Sequence, residues 1–376
     1  MKLLFVLENY HPFIGGAEVL FKNLCEGLVA AGHNVTVLTS RLPGTAKTQV
    51  DGGVTIRRIS TPAKGYRYWF TFLAIVPAIG LAAKSDIVQT TTYNGAFPAW
   101  LAARLTGKKC FLTVLEIIGP RWKDMTGMTW FTVWLHRFLE NVIVSLPFDR
   151  YVAISQFTAG CVRQQGRPTN KIRVIYTGVD YGLFNPGKAD KAAVRARLGL
   201  KDEFVYLYYG RPGISKGADY LVQAAPLIAA GIPSSKLVMI LAREPAEGYR
   251  TVQGLIKQLK LENHITVLDP VPRKELPEYL ASADCIVVPS LTEGFGLSAA
   301  EACAMDRPVV ISNTSSLPEV VGGKYCLVRP ADPSDIARGV LDTYGGRCIT
   351  AAKKLFPWSD CINGYLLMYN ELLNRD

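Results

Sequence analysis

The fold of this chain is decided by a short stretch in its second half, CIVVPSLTEGFGLSAAE at residues 285–301. Its first four residues are apolar and largely β-branched, which is typical of a buried strand, and the residues from 297 onward favour a helix that runs to about Met305. Between them, Gly294 and Gly296 let the backbone approach a ligand closely. The helix start offers free N–H groups and a positive dipole end to an anion. Such a strand, loop and helix form the repeating unit of parallel α/β sheets.

The same rhythm of strand and helix continues along the whole chain. Strand candidates lie at 3–7, 35–39, 55–59, 86–89, 110–115, 150–153, 172–175, 204–209, 236–241, 265–268, 285–288, 309–312 and 326–328. Helical patterns separate them, as in βαβ units. Several glycines, Asn185 and Pro186 cluster between 176 and 189 and indicate a boundary. We therefore predict two doubly wound parallel sheets in tandem and a last helix over 358–373.

Length, composition and charge restrict the class of protein. The chain has 376 residues, of which 49% are hydrophobic and 19% charged, so it is neither disordered nor collagenous. Its formal net charge is +11, and residues 1–180 hold 20 basic and 10 acidic side chains, which is +10 of that total. Such an excess suits nucleic acid, an anionic membrane surface or a phosphorylated ligand. Because the basic residues are scattered and no nucleic-acid-binding motif is present, we expect no nucleic-acid partner.

The cysteines and the apolar runs bear on the compartment. The eight cysteines include no Cys-x-x-Cys pair and no histidine at metal-ligand spacing, which argues against structural zinc and fits a reducing compartment. The longest apolar run, 68–83, contains Pro77 and Gly80 and is shorter than the roughly 20 residues of a spanning helix. We expect a cytoplasmic protein, with peripheral association at the inner face of the membrane as a further hypothesis.

Two glycine-containing loops that follow strands suit a phosphorylated ligand. The loop over 9–18 carries Gly15 and Gly16 directly before a helix, which fits close approach of an anion or, equally, a tight turn. The loop GRPGISKG at 210–217 places Arg211 and Lys216 among glycines at a helix start. A guanidinium fork and a point charge in that context favour binding of a diphosphate.

The stretch at 285–301 adds two carboxylates to a phosphate-type loop. Glu293 stands before the helix and Glu301 lies about two turns into it. Carboxylates accept hydrogen bonds from hydroxyls but repel phosphate, so the pattern indicates a ligand with hydroxyls on both sides of its phosphates, as in a nucleotide-sugar. For Glu301 alone, a solvated helix carboxylate is the alternative.

A fourth loop, 113–122, contains Glu116 and leads to an aromatic-rich helical stretch over 130–138. The periodicity favours a core helix. The alternative is an amphipathic surface that meets lipid or a lipid-linked acceptor.

On these residues the chain resembles the retaining glycosyltransferases of family 4 (glycosyl transferases group 1). The resemblance rests on Glu-x7-Glu at 293–301, GGAE at 15–18, the loop at 210–217, VIYTGVD at 174–180, LPEVV at 317–321 and FPW at 356–358. It implies an α/β protein of the GT-B fold, with two Rossmann-like domains that face a central cleft. The implied domains are an N-terminal acceptor-side domain over 1–180, a nucleotide-sugar-binding domain over 181–356, and a C-terminal helix over 357–376 that crosses back to the first domain.

The resemblance also implies roles for the candidate residues. Arg211 and Lys216 would hold the donor diphosphate and offset the charge of the leaving group, and Glu293 would contact hydroxyls of the transferred sugar. The implied donor-binding residues are Gly15, Gly16, Gly294, Phe295, Gly296, Leu297 and Glu301. No Asp-x-Asp occurs, so we expect transfer without a metal ion or any other cofactor, in which fixed cations replace the metal.

The chain departs from the family where a histidine usually follows the strand that ends near 115. Leu115 stands there and is followed by Glu116, which becomes a candidate contact for the donor sugar or the acceptor. The sequence predicts a hexosyltransferase that moves a sugar from a UDP- or GDP-sugar to a hydroxyl of a glycan or lipid-linked acceptor, with retention of configuration. A nucleotide-sugar epimerase and a non-catalytic partner subunit of the same fold are the alternatives.

Overall fold

Two sheets, each with its own helices, account for the regular structure of the chain. The computed structural model describes residues 1–13, 15–119, 122–123 and 129–373. The chain divides into two units. The first unit consists of the chain up to Trp122, Thr129–Gly178 and the segment that begins at Phe356. The second unit contains Val179–Leu355. The last segment therefore belongs to the first unit, although it follows the second in sequence.

The sheet of the first unit is doubly wound. Its strands are β1 (Lys2–Val6), β2 (Asn34–Ser40), β3 (Thr48–Asp51), β4 (Val54–Ile59), β5 (Ile87–Thr91), β6 (Lys109–Val114), β7 (Arg150–Ala153) and β8 (Ile172–Val174). They lie in the order β3-β4-β2-β1-β5-β6-β7-β8. Pairing is parallel except between β3 and β4, which are antiparallel. The order proceeds outward from β1 in both directions, so β1 and β5 form the switch point at which such sheets bind ligands.

The helices of the first unit pack on this sheet through apolar faces. They are α1 (Gly16–Ala30), α2 (Tyr66–Leu73), α3 (Ile75–Ala82), α4 (Ala96–Thr106), α5 (Trp130–Ser145) and α6 (Gln156–Gln164). In α1 the buried side chains include Leu20, Leu24 and Leu28, which recur every four residues as a helix facing a sheet requires. The buried face of α4 consists largely of alanines, so this helix lies close to the strands.

The second unit repeats the plan with a separate core. Its strands are β9 (Phe204–Gly210), β10 (Ser235–Leu241), β11 (Ile265–Leu268), β12 (Cys285–Val288), β13 (Val309–Ser312), β14 (Gly323–Val328) and β15 (Ile349–Ala351), in the order β11-β10-β9-β12-β13-β14-β15. Its helices are α7 (Lys191–Arg197), α8 (Ala218–Gly231), α9 (Ala246–Gln258), α10 (Leu276–Ser282), α11 (Leu297–Ala304), α12 (Leu317–Val320) and α13 (Pro333–Tyr344). Only β15 pairs antiparallel, and β9 and β12 form the switch point.

The last helix, α14 (Trp358–Leu373), completes the first unit by packing against α1. Its buried residues include Tyr365 and Tyr369. The Tyr365 hydroxyl lies 3.2 Å from Oγ1 of Thr113 on β6, and the Tyr369 hydroxyl donates to Gln89 on β5. Two buried phenols are thereby satisfied by the strands, which fixes the position of this helix within the unit.

The structure confirms the prediction of two doubly wound parallel sheets. Each predicted strand is present, and α14 has the predicted bounds. The sequence missed β3 and β15, both at sheet edges. In β3 no residue is fully buried, and in β15 all three residues are exposed. These strands therefore lack the apolar run on which the strand predictions relied.

The prediction of a core helix over the aromatic stretch is wrong. Residues 130–145 form α5, but Trp130 is 79% exposed, and Phe131, Trp134 and Phe138 are each more than half exposed. The buried residues of this helix are Val133, Glu140 and Val144, which lie on its other face. The aromatic side chains stack on one another instead, with ring centroids 6.1 Å apart for Phe131–Trp134 and 5.7 Å apart for Trp134–Phe138.

The longest apolar run of the sequence is divided between α2 and α3, which meet at Ala74. Within the described part of the chain, no helix has both the length and the apolar character needed to cross a membrane.

Gly217 offers a test of the packing beneath the loop at 210–217. Its φ is +66°, and a Cβ there would lie 2.1 Å from the carbonyl oxygen of Pro289. Gly199 has the same φ of +66° but has no atom within 4 Å of its Cβ position. In urea unfolding, we expect Gly199→Ala to lower the free energy of unfolding by about 1–2 kcal/mol, the cost of a left-handed residue. Gly217→Ala should lower it by about 3 kcal/mol or more, because the Pro289 backbone must also move. Equal losses would contradict this packing.

Candidate active site

The predicted donor loops of the second unit lie at one edge of its sheet. The loop 210–217 follows β9, and the loop 289–296 follows β12. These strands are parallel neighbours, with Tyr206 paired to Cys285 and Leu207 paired to Ile286. Their carboxyl ends therefore point to the same edge, where open α/β sheets bind ligands. The amide of Leu291 donates to the carbonyl of Ser215 at 2.8 Å and joins the two loops.

The loop 210–217 holds its two cations differently. The Tyr208 hydroxyl donates to the Arg211 carbonyl at 3.0 Å and anchors the backbone of the loop, while the Arg211 side chain is exposed. The Arg211 guanidinium forms no hydrogen bond or ion pair with the described residues. Lys216, in contrast, donates from Nζ to Oε1 of Glu293 at 2.7 Å. One cation is available to an incoming anion, and the other is already positioned by a carboxylate.

Glu293 is the centre of a hydrogen-bonded set. Its Oε1 also accepts from Oγ of Ser290 at 2.9 Å. Its backbone amide donates to Oγ of Ser315 and its carbonyl accepts from Oγ of Ser316, both at 2.9 Å. The two serines belong to the loop after β13, the next parallel neighbour of β12. Three consecutive loops therefore fix the position of this carboxylate.

The start of α11 has the geometry of an anion site. Gly296 has a φ of +94°, and a Cβ there would lie 2.6 Å from Cδ2 of Leu317, so this position requires glycine. Phe295 is buried, and Leu297 is the first helical residue. The first N–H groups of a helix have no partner within the helix. The structure thus brings Arg211, Lys216, Glu293 and this helix start to one edge of the second sheet.

Glu301 is buried and paired. It is only 1% exposed, so the alternative of a solvated helix carboxylate is wrong. Its Oε2 accepts from the Tyr209 hydroxyl at 2.7 Å and its Oε1 from Nη2 of Arg273 at 2.6 Å. Burial raises the pKa of the Glu301 carboxyl, and Arg273 and Tyr209 oppose that rise. The Arg273 guanidinium lies 5.1 Å from the ring centroid of Phe184 and remains partly exposed.

The sequence did not identify Tyr209 or Arg273. Tyr209 lies near the carboxyl end of β9, directly before the loop 210–217, and this placement is a signal that could have identified it. Arg273 follows β11 in an irregular segment with no distinctive pattern. Only the fold brings it to Glu301.

Gly15 and Gly16 precede and begin α1 in the first unit. Gly15 has a φ of −175°, which any residue can adopt, and a Cβ there would meet only the flexible side chain of Glu18. Nothing lies within 4 Å of a Cβ at Gly16. The backbone torsions and the described neighbours therefore do not demand glycine at either position.

A buried carboxylate that the sequence missed lies at the switch point of the first unit. Glu8 follows β1, is 7% exposed, and accepts hydrogen bonds from Arg67 and from Asn94, which follows β5. The carbonyl of Asn94 accepts from Oγ1 of Thr71 at 3.1 Å. The preceding Tyr93 has a φ of +83°, a strained value for a non-glycine residue that is typical of functional sites. Both Glu8 and Asn94 directly follow strands, which is the signal that could have identified them.

Glu116 follows β6, the neighbour of β5, and lies close enough to Tyr93 to influence it. Burial raises the pKa of the Tyr93 phenol, and the charges of Glu140 and Glu116 raise it further. Leu115, where the family usually has histidine, is half-buried. The loop that continues from Glu116 includes residues 120–121, which lie outside the described residues.

Glu140 on α5 anchors this loop. It is 2% exposed and accepts from the amides of Ile118 at 2.9 Å and Gly119 at 2.8 Å, and from Nε1 of Trp122 at 3.3 Å. Burial raises the pKa of the Glu140 carboxyl, and these N–H donors oppose the rise. Since the carboxylate meets three donors, it holds Ile118, Gly119 and Trp122 in place.

Comparisons with known proteins give the family of the chain. Residues 14–182 match the family described as Glycosyltransferase Family 4, and residues 190–347 match Glycosyl transferases group 1. The chain belongs to the family 4 glycosyltransferases. The two matches fall in the two units, and the loops 210–217 and 289–296 lie inside the second match.

A relative and two solved structures illustrate the likeness of this family 4 glycosyltransferase to other proteins. It is 29% identical to the D-inositol 3-phosphate glycosyltransferase of Thermobifida fusca, over 96% of this chain and 89% of that one. The sucrose-phosphate synthase of Thermosynechococcus elongatus shares its fold with a TM-score of 0.79 at 21% identity, over 99% of both chains. Anabaena HepE, solved in complex with UDP-glucose, has a TM-score of 0.74 at 18% identity, over 100% of this chain and 99% of that one. Glycosyltransferases with the GT-B fold are thus its structural neighbours, and the chain is a transferase.

The family 4 glycosyltransferase has, among its described residues, no group of three or more His, Cys, Asp or Glu side chains placed to hold a metal ion. The charged groups at its candidate site are instead the cations and carboxylates described above.

The anchoring role of Glu140 can be tested by Glu140→Gln. The variant places an amide N–H against one of three N–H donors, so we expect a loss of about 1–3 kcal/mol in the free energy of unfolding. We also expect faster proteolytic cleavage after residue 116, because the loop loses its anchor. Glu371→Gln is the control, since that carboxylate pairs with Arg173 on the surface and should cost about 0–1 kcal/mol. Equal losses in the two variants would show that Glu140 does not anchor the loop.

Proposed function

We propose that this glycosyltransferase moves a hexose-type sugar from a nucleoside diphosphate to a hydroxyl of a glycan or lipid-linked acceptor, with retention of configuration and without a metal ion. The observation that carries the proposal is the contact between Lys216 and Glu293, at the edge where β9 and β12 end. A cation suited to a diphosphate and a carboxylate suited to sugar hydroxyls are held within 2.7 Å of each other. The reaction breaks the bond between the phosphate and the sugar, and these two side chains are placed to bind the groups on either side of that bond.

The donor diphosphate binds between Arg211, Lys216 and the start of α11 in this proposal. Arg211 has a free guanidinium fork, and charge-assisted hydrogen bonds to phosphate are among the strongest in proteins. When the diphosphate arrives, Lys216 turns from Glu293 to the phosphate, and Glu293 is released to accept from the sugar hydroxyls. The complex of HepE with UDP-glucose supports a UDP-sugar as donor, and a GDP-sugar is the other candidate.

The ribose contacts Glu301 beside Arg273. In the structure Arg273 covers Glu301, and the guanidinium is the part of the pair that reaches solvent. Each carboxylate oxygen keeps a second lone pair after its bond to Arg273 or Tyr209, so a ribose hydroxyl can be accepted once Arg273 moves aside. The Phe184 ring already lies against the Arg273 guanidinium and can hold it after it moves away from Glu301.

Retention follows from attack on the face that the diphosphate leaves. The bond from the anomeric carbon to the phosphate oxygen breaks as the acceptor oxygen bonds to the same face of that carbon. The acceptor proton passes to the departing phosphate oxygen, so no protein base is needed. The paired carboxylates of a retaining hydrolase are unnecessary in this scheme. Arg211 and Lys216 stabilise the charge on the leaving diphosphate, which is the role a metal would otherwise fill.

The acceptor binds at the switch point of the first unit. Glu8, Asn94 and the exposed guanidinium of Arg67 offer acceptors and donors to hydroxyls, and Glu116 lies after the next strand. The name of the Thermobifida fusca relative, a D-inositol 3-phosphate glycosyltransferase, supports a polyhydroxy acceptor.

A lipid-linked acceptor agrees with the exposed aromatic face of α5. On that face Trp130 meets Phe131 edge to face, and Phe131, Trp134 and Phe138 stack in turn. Amphipathic helices with exposed Trp and Phe lie at membrane interfaces, and the first 180 residues carry a charge of +10 that anionic lipid attracts. We therefore place the protein in the cytoplasm, in peripheral contact with the inner face of the membrane.

The donor site is tested by Lys216→Ala. We expect turnover, measured as release of nucleoside diphosphate from a panel of UDP- and GDP-sugars, to fall about 100- to 1000-fold, because a fixed cation at the leaving group is lost. The melting temperature should change little, since Glu293 keeps its bond to Ser290. Lys257→Ala, an exposed lysine on α9, is the control and should match the wild type. Wild-type turnover in Lys216→Ala would refute the assigned role.

The mechanism is tested by adding EDTA to the same assay and by determining the anomeric configuration of the product by NMR. We expect the same rate with and without EDTA, and a product with the anomeric configuration of the donor. Loss of activity in EDTA with recovery on addition of Mn²⁺ would refute transfer without a metal, and an inverted product would refute the proposed attack.

A further inference from the structure

A groove in the first unit, between strands β3 and β4 and helix α3, is lined by basic residues, here called its rim, and by apolar residues of α3 and β4, here called its floor. Its volume is about 590 Å³. Lys47, Arg57, Arg58 and Lys84 contribute the charges. No function assigned above uses this groove.

Three of the four basic groups of the groove have no ion-pair partner among the described residues, and the fourth, Arg58, is influenced by the charge of Asp51. Lys47, Arg57 and Lys84 are exposed, and their side chains make no hydrogen bond or ion pair with any residue that the structure describes. Arg58 is buried and donates to neutral oxygens only, which are the carbonyls of Ala46 and His11 and Oε1 of Gln49. No described carboxylate lines the groove. Four cations around one cavity repel one another, and an anion that enters it relieves this repulsion.

The floor of the groove is apolar. Pro77, Gly80 and Leu81 of α3 and Ile59 of β4 line it. Gly80 has no atom within 4 Å of a Cβ position, so the groove is open at this point of the helix. Inorganic phosphate would use only the rim. The combination of rim and floor fits an anion that carries an apolar chain.

An exposed apolar stripe leads to the groove. Trp69, Phe72, Leu73 and Val76 recur at the spacing of one helix face, and each is between 42% and 77% exposed. The stripe passes from α2 to α3 through Ala74, which has helical torsion angles. Val76 is followed by Pro77, which lines the groove. Tryptophan at such a position is typical of the boundary between lipid headgroups and acyl chains.

Helix α2 also contacts α5. The Tyr68 hydroxyl on α2 lies 3.1 Å from Nε2 of His136 on α5, so the two helices are in contact. The exposed apolar side chains of α2, α3 and α5 all belong to the first unit.

We propose that the groove binds the phosphate headgroup of an anionic phospholipid while the stripe of α2 and α3 lies in the membrane interface. The proposal rests on the proposed contact with the membrane and names the lipid that the contact selects. Charge complementarity supports it, because a phospholipid supplies the anion for the rim and the acyl chain for the floor. Each basic group near an anionic leaflet strengthens binding severalfold.

The test is cosedimentation of the full chain with phosphatidylcholine vesicles, with and without phosphatidylglycerol. The triple variant Lys47→Gln, Arg57→Gln and Lys84→Gln should bind phosphatidylglycerol vesicles about 10- to 100-fold more weakly than the wild type. The control triple, Lys2→Gln, Lys108→Gln and Arg163→Gln, removes the same charge outside the groove and should lose about threefold or less. Equal losses in the two triples would show that only bulk charge matters and would overturn the proposal.

A second variant tests the groove without changing its charge. Gly80→Leu fills the floor and favours the helix, so the variant should fold, and it should lose the preference for phosphatidylglycerol. Wild-type preference would overturn the proposal. Soluble glycerol 3-phosphate tests whether the groove is a site for a free phosphate instead. It would be such a site if glycerol 3-phosphate raised the melting temperature of the wild type but not of the first triple variant, and neither protein bound to vesicles. That result would show that the groove takes a soluble anion and that the proposal is wrong.

The outcomes separate this proposal from the proposed function. Trp134→Ala on α5 should weaken binding to neutral and anionic vesicles alike. If it does and the first triple binds as the wild type does, the membrane contact stands and the groove proposal falls. None of the groove residues belongs to the donor or acceptor site, so release of nucleoside diphosphate by the first triple should equal that of the wild type. A wild-type chain that consumes no nucleotide-sugar would refute the proposed function whatever the vesicles show.

Discussion

The parallel pairing of β9 with β12 is the constraint on which the candidate donor site depends. Lys216 and Glu293 are 77 residues apart in sequence, yet each follows one of these two strands. Because the strands run in the same direction, their loops leave the sheet at the same edge, and the lysine and the carboxylate meet there. The third strand, β13, adds Ser315 and Ser316, which hold the backbone of Glu293 from the other side. The chemistry of the site is therefore a consequence of strand order.

Three buried carboxylates show how the protein fixes its polar edges. Glu8, Glu140 and Glu301 are each nearly inaccessible, and each accepts at least two hydrogen bonds. An unpaired buried carboxylate would be costly, so a donor that leaves it has to be replaced by another. Glu8 joins the ends of two strands to α2, Glu140 holds the amides of Ile118 and Gly119 after β6, and Glu301 links α11 to β9 and Arg273. Each carboxylate holds in place a segment of the kind that binds ligands in this fold.

The net charge has a structural meaning once it is divided between the units. The second half of the chain, residues 181–376, is close to neutral because it holds 22 basic and 21 acidic side chains. Its candidate site relies on a few positioned charged groups. The first half holds +10, and three of its cations surround a groove without forming ion pairs among the residues described. The same unit carries the exposed aromatic side chains of α2 and α5. Charge and apolar surface thus occur together in the unit that we propose receives the acceptor.

The sequence by itself determined the two doubly wound sheets, the candidate loops at 210–217 and 289–296 and the last helix, because apolar runs, glycines and charged pairs at fixed spacing are local signals. It could not determine that Glu301 is buried against Tyr209 and Arg273, that Glu8 meets Asn94, or that the aromatic side chains of α5 face outward. Periodicity locates an apolar helix face but does not say whether a core, a solvent or a membrane covers it. Contacts between residues far apart in sequence are set by strand order and helix packing, and for that reason only the tertiary structure decided them.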